Sequence, residues 1–259
     1  MKIHVLGCGS SGGVPLISGN WGRCNPDNPK NRRTRTSILV QVKEKNILID
    51  ASPDLREQLL RIGVNTIDAV LITHAHADHC HGLDELRQIF FHQQKKIPVY
   101  AEAVTLEKVQ SMFSYMFIST HPIYPEYLTG HAIRPGTFMV DDLPITMFEQ
   151  SHGYQQTSGF KIGSMAYSTD VKSFPKESEI YLKNLSLWIV DCLRYEEHHT
   201  HAHFELTMDW IKQFQPKRAI LTHMCERIDY DDIFSRCPEN VTPAYDRMIL
   251  EENDTGFEC

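Results

Sequence analysis

Four side chains able to ligate a metal fall within six residues of the stretch Thr73-His74-Ala75-His76-Ala77-Asp78-His79. Neutral imidazole suits zinc, iron or manganese, and a carboxylate suits the harder ions. The apolar run Ala69-Val70-Leu71-Ile72 stands directly before them and reads as a buried strand. Along an extended chain His74 and His76 face one side. The chain then turns, so Asp78 and His79 can face a second point nearby. One short loop can therefore serve two cations, at the spacing of roughly 3.5–4 Å that two-metal hydrolytic sites use.

Such a centre needs more ligands, and they stand where further strands stop. The apolar segment Leu143 to Phe148 leads to His152, the expected third ligand of the first ion. A hairpin over Gly159–Ile162 and Met165–Tyr167 ends at Asp170, whose two carboxylate oxygens could bridge both cations. The strand Arg218 to Leu221 delivers Thr222-His223, repeating the Thr73-His74 ending, and His223 completes the second shell. Each ion then keeps an open position, which marks a catalytic site. A water shared by the two would have its pKa lowered to near 7. Asp50, at the end of the strand Asn46–Ile49, is placed to accept a hydrogen bond from a ligand histidine and fix its tautomer. His198, His199, His201 and His203 crowd together before a helix that begins at Phe204. His203 sits at the cap of that helix, where its position is best fixed, and is the expected functional member. The small-residue loop Gly7 to Gly13, with Ser10, could approach an anion through its amides. Arg33 and Arg35, in Asn31-Arg32-Arg33-Thr34-Arg35, could grip phosphate. A plain turn and a solvated charged loop are the alternatives at those two places.

The histidine loop and its position resemble the metallo-β-lactamase superfamily. Gly7-Cys8-Gly9-Ser10-Ser11-Gly12-Gly13, Asn31-Arg32-Arg33-Thr34-Arg35-Thr36-Ser37 and His203-Phe204-Glu205-Leu206 resemble its phosphoribosyl cyclic phosphate phosphodiesterase branch. The resemblance implies an α/β fold: a four-layer αββα sandwich of two facing mixed sheets with outer helices. It implies two divalent ions, zinc or manganese, and a small cyclic or nucleotide-like phosphodiester as substrate. It also implies a histidine that assists the leaving group, matched here by His203. That branch holds a structural zinc on a cysteine cluster, of which only Cys24 remains, with Cys225 after His223, so no third zinc is expected. A 3′-tRNA-processing endonuclease, a thioester or lactone hydrolase, and a non-catalytic metal-binding module are the alternatives within the same fold.

Composition sets the remaining bounds. The chain has 259 residues, with 41% hydrophobic and 23% charged, which suits one domain over residues 1–259. A net charge of -7 argues against bulk electrostatic binding of nucleic acid or anionic membrane. Seven cysteines without paired spacing predict reduced thiols in a cytoplasm. No apolar run approaches the ~20 residues of a membrane span. The aromatic, proline-rich stretch His121 to Phe138 suits either a lid over the pocket or a homodimer contact. His121 and His131, without partners at ligand spacing, read as structural.

Overall fold

A computed structural model describes residues 1–119, 123, 125–253 and 256–258. Its strands are β1 (Lys2–Gly7), β2 (Ser37–Val42), β3 (Lys45–Ile49), β4 (Ala69–Leu71), β5 (Ile97–Glu102), β6 (Leu128–Ile133), β7 (Gly136–Val140), β8 (Leu143–Ser151), β9 (Gln156–Ile162), β10 (Met165–Ser168), β11 (Leu187–Asp191), β12 (Arg218–Thr222), β13 (Val241–Pro243), β14 (Ile249–Asn253) and β15 (Gly256–Glu258). The helices are α1 (Leu55–Ile62), α2 (Ala77–Cys80), α3 (Leu86–Gln93), α4 (Ala103–Met112), α5 (Ser114–Phe117), α6 (Phe204–Phe214) and α7 (Tyr230–Arg236). One sheet runs β15-β14-β1-β2-β3-β4-β5-β6, the other β13-β12-β11-β10-β9-β8-β7, and both mix parallel and antiparallel pairs.

Strand alternation builds this two-sheet arrangement. Ile3, Val5, Ile38, Val40, Ile47 and Ile49 of the first sheet share one buried cluster with Ile145, Met147, Phe160, Ile162, Trp188 and Ile220 of the second. The alternate residues, Leu39, Leu48, Val70 and Val99, point to the opposite face. There they pack under Leu55 and Leu59 of α1, Leu86 of α3, and Leu106 and Val109 of α4. Strands buried on both faces need helical cover on the outer one. On the far side, Trp210, Ile211 and Phe214 of α6 close over the second sheet. The sandwich expected from the sequence is the one observed.

Two local readings change. The helical period expected over Thr105 to Phe117 is broken at Phe113 (φ -127, ψ 40), giving α4 and the short α5. Of the proposed lid or dimer contact, His121, Pro122 and Tyr124 lie outside the described residues, while Leu128–Ile133 and Gly136–Val140 form β6 and β7, one at the edge of each sheet. His131 on β6 stacks on Tyr100 with ring centroids 4.8 Å apart.

Candidate metal centre

Strand ends converge at one edge of the sandwich, and the backbone bends sharply there. Asp50 after β3, Asp170 after β10 and His223 after β12 have φ of 63°, 51° and 60°. For non-glycine residues this left-handed conformation costs free energy and clusters at functional sites. In each case it turns a polar side chain off the end of a buried strand.

The four residues after β4 stand on both sides of a turn. His76 is the N-cap of α2, and Asp78 and His79 lie within that helix. His74 Nε2 lies 2.9 Å from His76 Nδ1 and 3.7 Å from Asp170 Oδ2. His152 Nε2 is 3.9 Å from the same oxygen. Asp170 Oδ1 is 3.1 Å from His79 Nε2 and 3.4 Å from His223 Nδ1, and Asp78 Oδ2 is 3.2 Å from His79 Nε2. One ligand atom from each of His74, His76, His152 and Asp170 lies within 4.8 Å of the others, and the same holds for Asp78, His79 and His223. All seven sequence-predicted ligand positions are thus brought together, with Asp170 between the two groups.

The donor set fits metal ions: in His74, His79 and His152 a neighbour holds the outward ring nitrogen, so the other one faces the cluster. His79 Nδ1 donates to Asp50 Oδ2 at 2.7 Å, and His152 Nδ1 to the Thr200 carbonyl at 2.8 Å. Thr73 Oγ1 donates to Asp50, at 3.0 and 2.9 Å from its two oxygens, which leaves it to accept from His74 Nδ1 at 3.0 Å. Each ring is thereby set to present a lone pair inward. His79 Nε2 and His223 Nδ1 are buried with no hydrogen-bond partner, despite the carboxylate oxygens nearby. Buried polar atoms are ordinarily paired, and a cation would satisfy these two.

The electrostatics of the protein alone agree. Burial would favour a neutral Asp170, but His223, His79 and His74 overcome it and hold its pKa well below the usual range. Asp78 is likewise lowered, against burial, chiefly by His79. Burial pushes the His74, His152 and His223 pKa values down, toward the neutral form that ligates. His79 is the exception: burial opposes its charge, but Asp170, Asp50 and Asp78 win and raise its pKa, so in the protein alone this ring carries the positive charge that a bound cation would replace.

The structure places His203, the histidine expected to assist chemistry, outside the cluster. His203 caps α6 with its backbone; among the described residues its side chain has no hydrogen bond, ion pair or ring contact with the cluster, and its Nδ1 is a buried atom without a partner. His201, two residues earlier, enters the site. Its Nε2 lies 3.8 Å from Asp170 Oδ2, and its ring stacks on His223 at 4.9 Å. Its Nδ1 faces Asp191 Oδ2 at 2.9 Å. Burial alone would lower its pKa, but Asp191 outweighs that and holds it at about 9. The sequence signal for His201 is Asp191, a carboxylate at the end of the apolar strand β11. Of the other histidines, His198 is pushed down to about 4, by burial and then by His201.

Of the three residues expected to bind substrate, Arg33 and Ser10 are buried and Arg35 is half-buried in an ion pair. Arg33 is 1% exposed. Its guanidinium donates to the carbonyls of Ile228 (2.9 Å) and Cys225 (3.1 Å) and to Asn31 Oδ1 (3.2 Å), tying the early loop to the chain after β12. Arg35 Nε pairs with Asp54 at 2.9 Å. Ser10 is buried, and the amides of Gly9, Ser10 and Gly13 bond to the carbonyls of Thr34, Met224 and Ser10. A Cβ on Gly7 would stand 2.2 Å from the Arg35 carbonyl, so that glycine serves close chain packing and not an anion.

What lies beside the cluster instead is a cavity of about 230 Å³ on the His74 and His76 side. Glu102, Thr105, Lys108, Gln155 and Gln156 line it, and Gln155 Nε2 lies 2.9 Å from His76 Nε2.

Paired ligand groups at the edge of a two-sheet sandwich define the metallo-β-lactamase class of hydrolase. The family model described as "Beta-lactamase superfamily domain" matches residues 45–224. A solved structure of a new diphosphatase from the PhnP family superposes with a TM-score of 0.88 at 30% identity, covering 99% of both chains. The chain therefore belongs to the metallo-β-lactamase superfamily, in its PhnP-like branch. Zn(2+)-bound PqqB from Methylobacterium extorquens, 20% identical, shares the fold with a TM-score of 0.77 over 97% of this chain and 100% of that one. The octanoyltransferase of Porphyromonas gingivalis is 34% identical over 258 residues, which is 97% of this chain and 52% of that protein, so this chain spans about half its length.

Proposed function

We propose that the protein is a dinuclear metal-dependent hydrolase of small phosphodiesters. The observation that carries the reading is Asp170, placed between a group of three histidines and the group Asp78, His79 and His223. His74, His76 and His152 would hold one cation, Asp78, His79 and His223 the other, with Asp170 shared. Two divalent ions, when bound, supply an activated water and stabilisation of charge on the substrate. The chain's own part is to hold and move protons. Asp191 keeps the Nδ1 proton of His201 in place, so Nε2 is the atom that gives a proton to the departing oxygen. Asp50 and the Thr200 carbonyl hold the His79 and His152 rings at fixed tautomers.

Phosphoryl chemistry is supported by the diphosphatase relative, which matches this chain end to end, and by the polar lining of the adjoining cavity. A second reading, thioester hydrolysis, draws on the octanoyltransferase relative. Glu102, Thr105, Lys108, Gln155 and Gln156 outnumber the apolar Ala75 and Val104 in that lining, which favours a polar group there over an alkyl chain. Nucleic acid as substrate is disfavoured by the net charge of -7. Among the described residues five buried cysteines carry free thiols, which suits a reducing compartment and a cytoplasmic enzyme. Among the described residues no helix is long and apolar enough to cross a membrane.

The test is turnover by metal-loaded protein of bis-p-nitrophenyl phosphate, a small cyclic phosphodiester, a precursor tRNA and an octanoyl thioester. Hydrolysis of the diesters with little of the thioester supports the proposal. Turnover of the thioester alone overturns it in favour of acyl chemistry. Two bound ions with no turnover of any ester would make the chain a metal-binding module.

A further inference from the structure

His76 is the exposed member of its ligand group; His74, His152 and Asp170 are buried. Packing holds a buried ring, but an exposed ring turns freely unless a hydrogen bond stops it. His76 Nδ1 lies 2.9 Å from His74 Nε2, which is itself 3.7 Å from Asp170 Oδ2, so Nδ1 is the nitrogen on the cluster side. Its Nε2 points away, to the amide of Gln155 at 2.9 Å. A ring that ligates through Nδ1 carries its proton on Nε2 and needs an acceptor there. Among the described residues Gln155 is the hydrogen-bond partner that Nε2 has. Gln155 Oε1 makes no hydrogen bond among those residues, so a half-turn of the terminal amide breaks no other bond and sets the oxygen where the nitrogen stands.

The backbone fixes where this amide stands. Ser151 at the end of β8 pairs with Gln156 at the start of β9, so residues 152–155 form a tight turn. Across it the His152 amide donates to the Gln155 carbonyl at 2.8 Å. A Cβ on Gly153, whose φ is 73°, would stand 2.8 Å from Thr200 Cγ2 and 2.9 Å from the His199 carbonyl oxygen. The turn therefore lies close against the loop whose Thr200 carbonyl holds the His152 ring. Resting on the dinuclear reading, we propose that Gln155 is a positioning residue for metal binding: its Oε1 accepts the Nε2 proton of His76 and keeps Nδ1 aimed at the first cation. One turn then serves two of the three histidines of that group, His152 as a ligand and His76 through its outward nitrogen. Gln155 acts through His76 and takes no part in bond cleavage.

The experiment compares zinc binding by wild type, Gln155→Met and Gln155→Glu. Methionine keeps the length of the side chain and removes the strong acceptor; glutamate keeps an acceptor and removes the donor. By chelator competition followed ion by ion, Gln155→Met should weaken one of the two sites by about 10- to 100-fold. That site should be the one that His152→Ala weakens most. Gln155→Glu should hold that zinc at least as tightly as wild type does. Ring nitrogen shifts measured by NMR give a second readout. Zinc-loaded wild type and Gln155→Glu should show His76 ligated through Nδ1 with a proton on Nε2, and that proton should exchange with water several-fold faster in Gln155→Met. Wild-type affinity in Gln155→Met, an equal loss in the Met and Glu variants, or a His76 ligated through Nε2 overturns the proposal and leaves the dinuclear reading intact. Wild type that fails to bind a pair of zinc ions would instead sink the underlying reading.

Discussion

His201 Nδ1 lies 2.9 Å from Asp191 Oδ2, and the same oxygen accepts the Val171 amide at 3.0 Å. Asp191 is 0% exposed at the end of β11, and Val171 directly follows Asp170. One carboxylate therefore ties the histidine loop before α6 to the residue beside the shared aspartate. A carboxylate behind an imidazole fixes its tautomer and sustains its positive charge.

Replacing His201 by alanine should lower kcat for a p-nitrophenyl-free diester, whose leaving group needs a proton, by about 100- to 10,000-fold. Both metals should stay bound by elemental analysis. His203→Ala should stay within a few fold of wild type, since its side chain meets none of the cluster. Equal losses in the two variants would reverse the assignment of roles.

Asp50 accepts from the His79 ring and from the Thr73 amide and hydroxyl. Asn at this position tolerates the left-handed backbone but supplies no charge to the imidazole. Asp50→Asn should weaken one of the two metal sites by about 10- to 100-fold and leave the other near its wild-type affinity. Chelator competition followed ion by ion measures this. Two unaltered affinities would remove Asp50 from any role at the centre.

Asp246, far along the chain, has its pKa pushed up to about 6 by burial, although Thr34 and Cys8 donate to its carboxylate. Its unfolded value is ~3.9. The folded state thus holds this proton more tightly than the unfolded one. The stability it contributes is fully present below pH ~4 and is lost as pH rises through about 6. The loss amounts to ~3 kcal/mol for a shift of that size. Asp246→Asn cannot titrate, so the stability difference between wild type and variant in urea should change across this window and flatten above it. A constant difference from pH 4 to 7 would contradict the prediction.

Arg33→Ala should reduce stability by about 2–4 kcal/mol, because it leaves the buried carbonyls of Cys225 and Ile228 without a donor. The folded variant should show a KM for small diesters close to wild type. A large rise in KM with unchanged urea midpoint would return Arg33 to the substrate.

Much of the centre is legible in the chain because its ligands are local to strand ends. His74, His76, Asp78 and His79 follow a buried β-branched run, and His152, Asp170 and His223 follow further apolar strands. An apolar strand ends where the chain reaches the edge of a sheet, so a polar residue just beyond it stands at that edge. Two-sidedly buried strands separated by amphipathic helices likewise specify a layered sandwich.

Other positions are decided by packing between distant segments. Arginines in a loop look alike in sequence whether they face solvent or interior. Arg33 is buried only because the chain after β12, about 190 residues later, lays two carbonyls against it. The choice among His198, His199, His201 and His203 is of the same kind. All four share one residue type and one short loop, and helix-cap position favours His203. What selects His201 is the placement of Asp191 and His223 at the ends of adjacent strands β11 and β12.

The amino-acid sequence by itself determined the ligand types, the strand ends that carry them and the layered fold, since each depends on residue character and spacing along a short run. Only the tertiary structure decided which histidine joins the centre, which arginine is buried and where the open cavity beside His76 lies. Those depend on which surfaces meet when segments far apart in the chain close on one another, and no local pattern encodes that meeting.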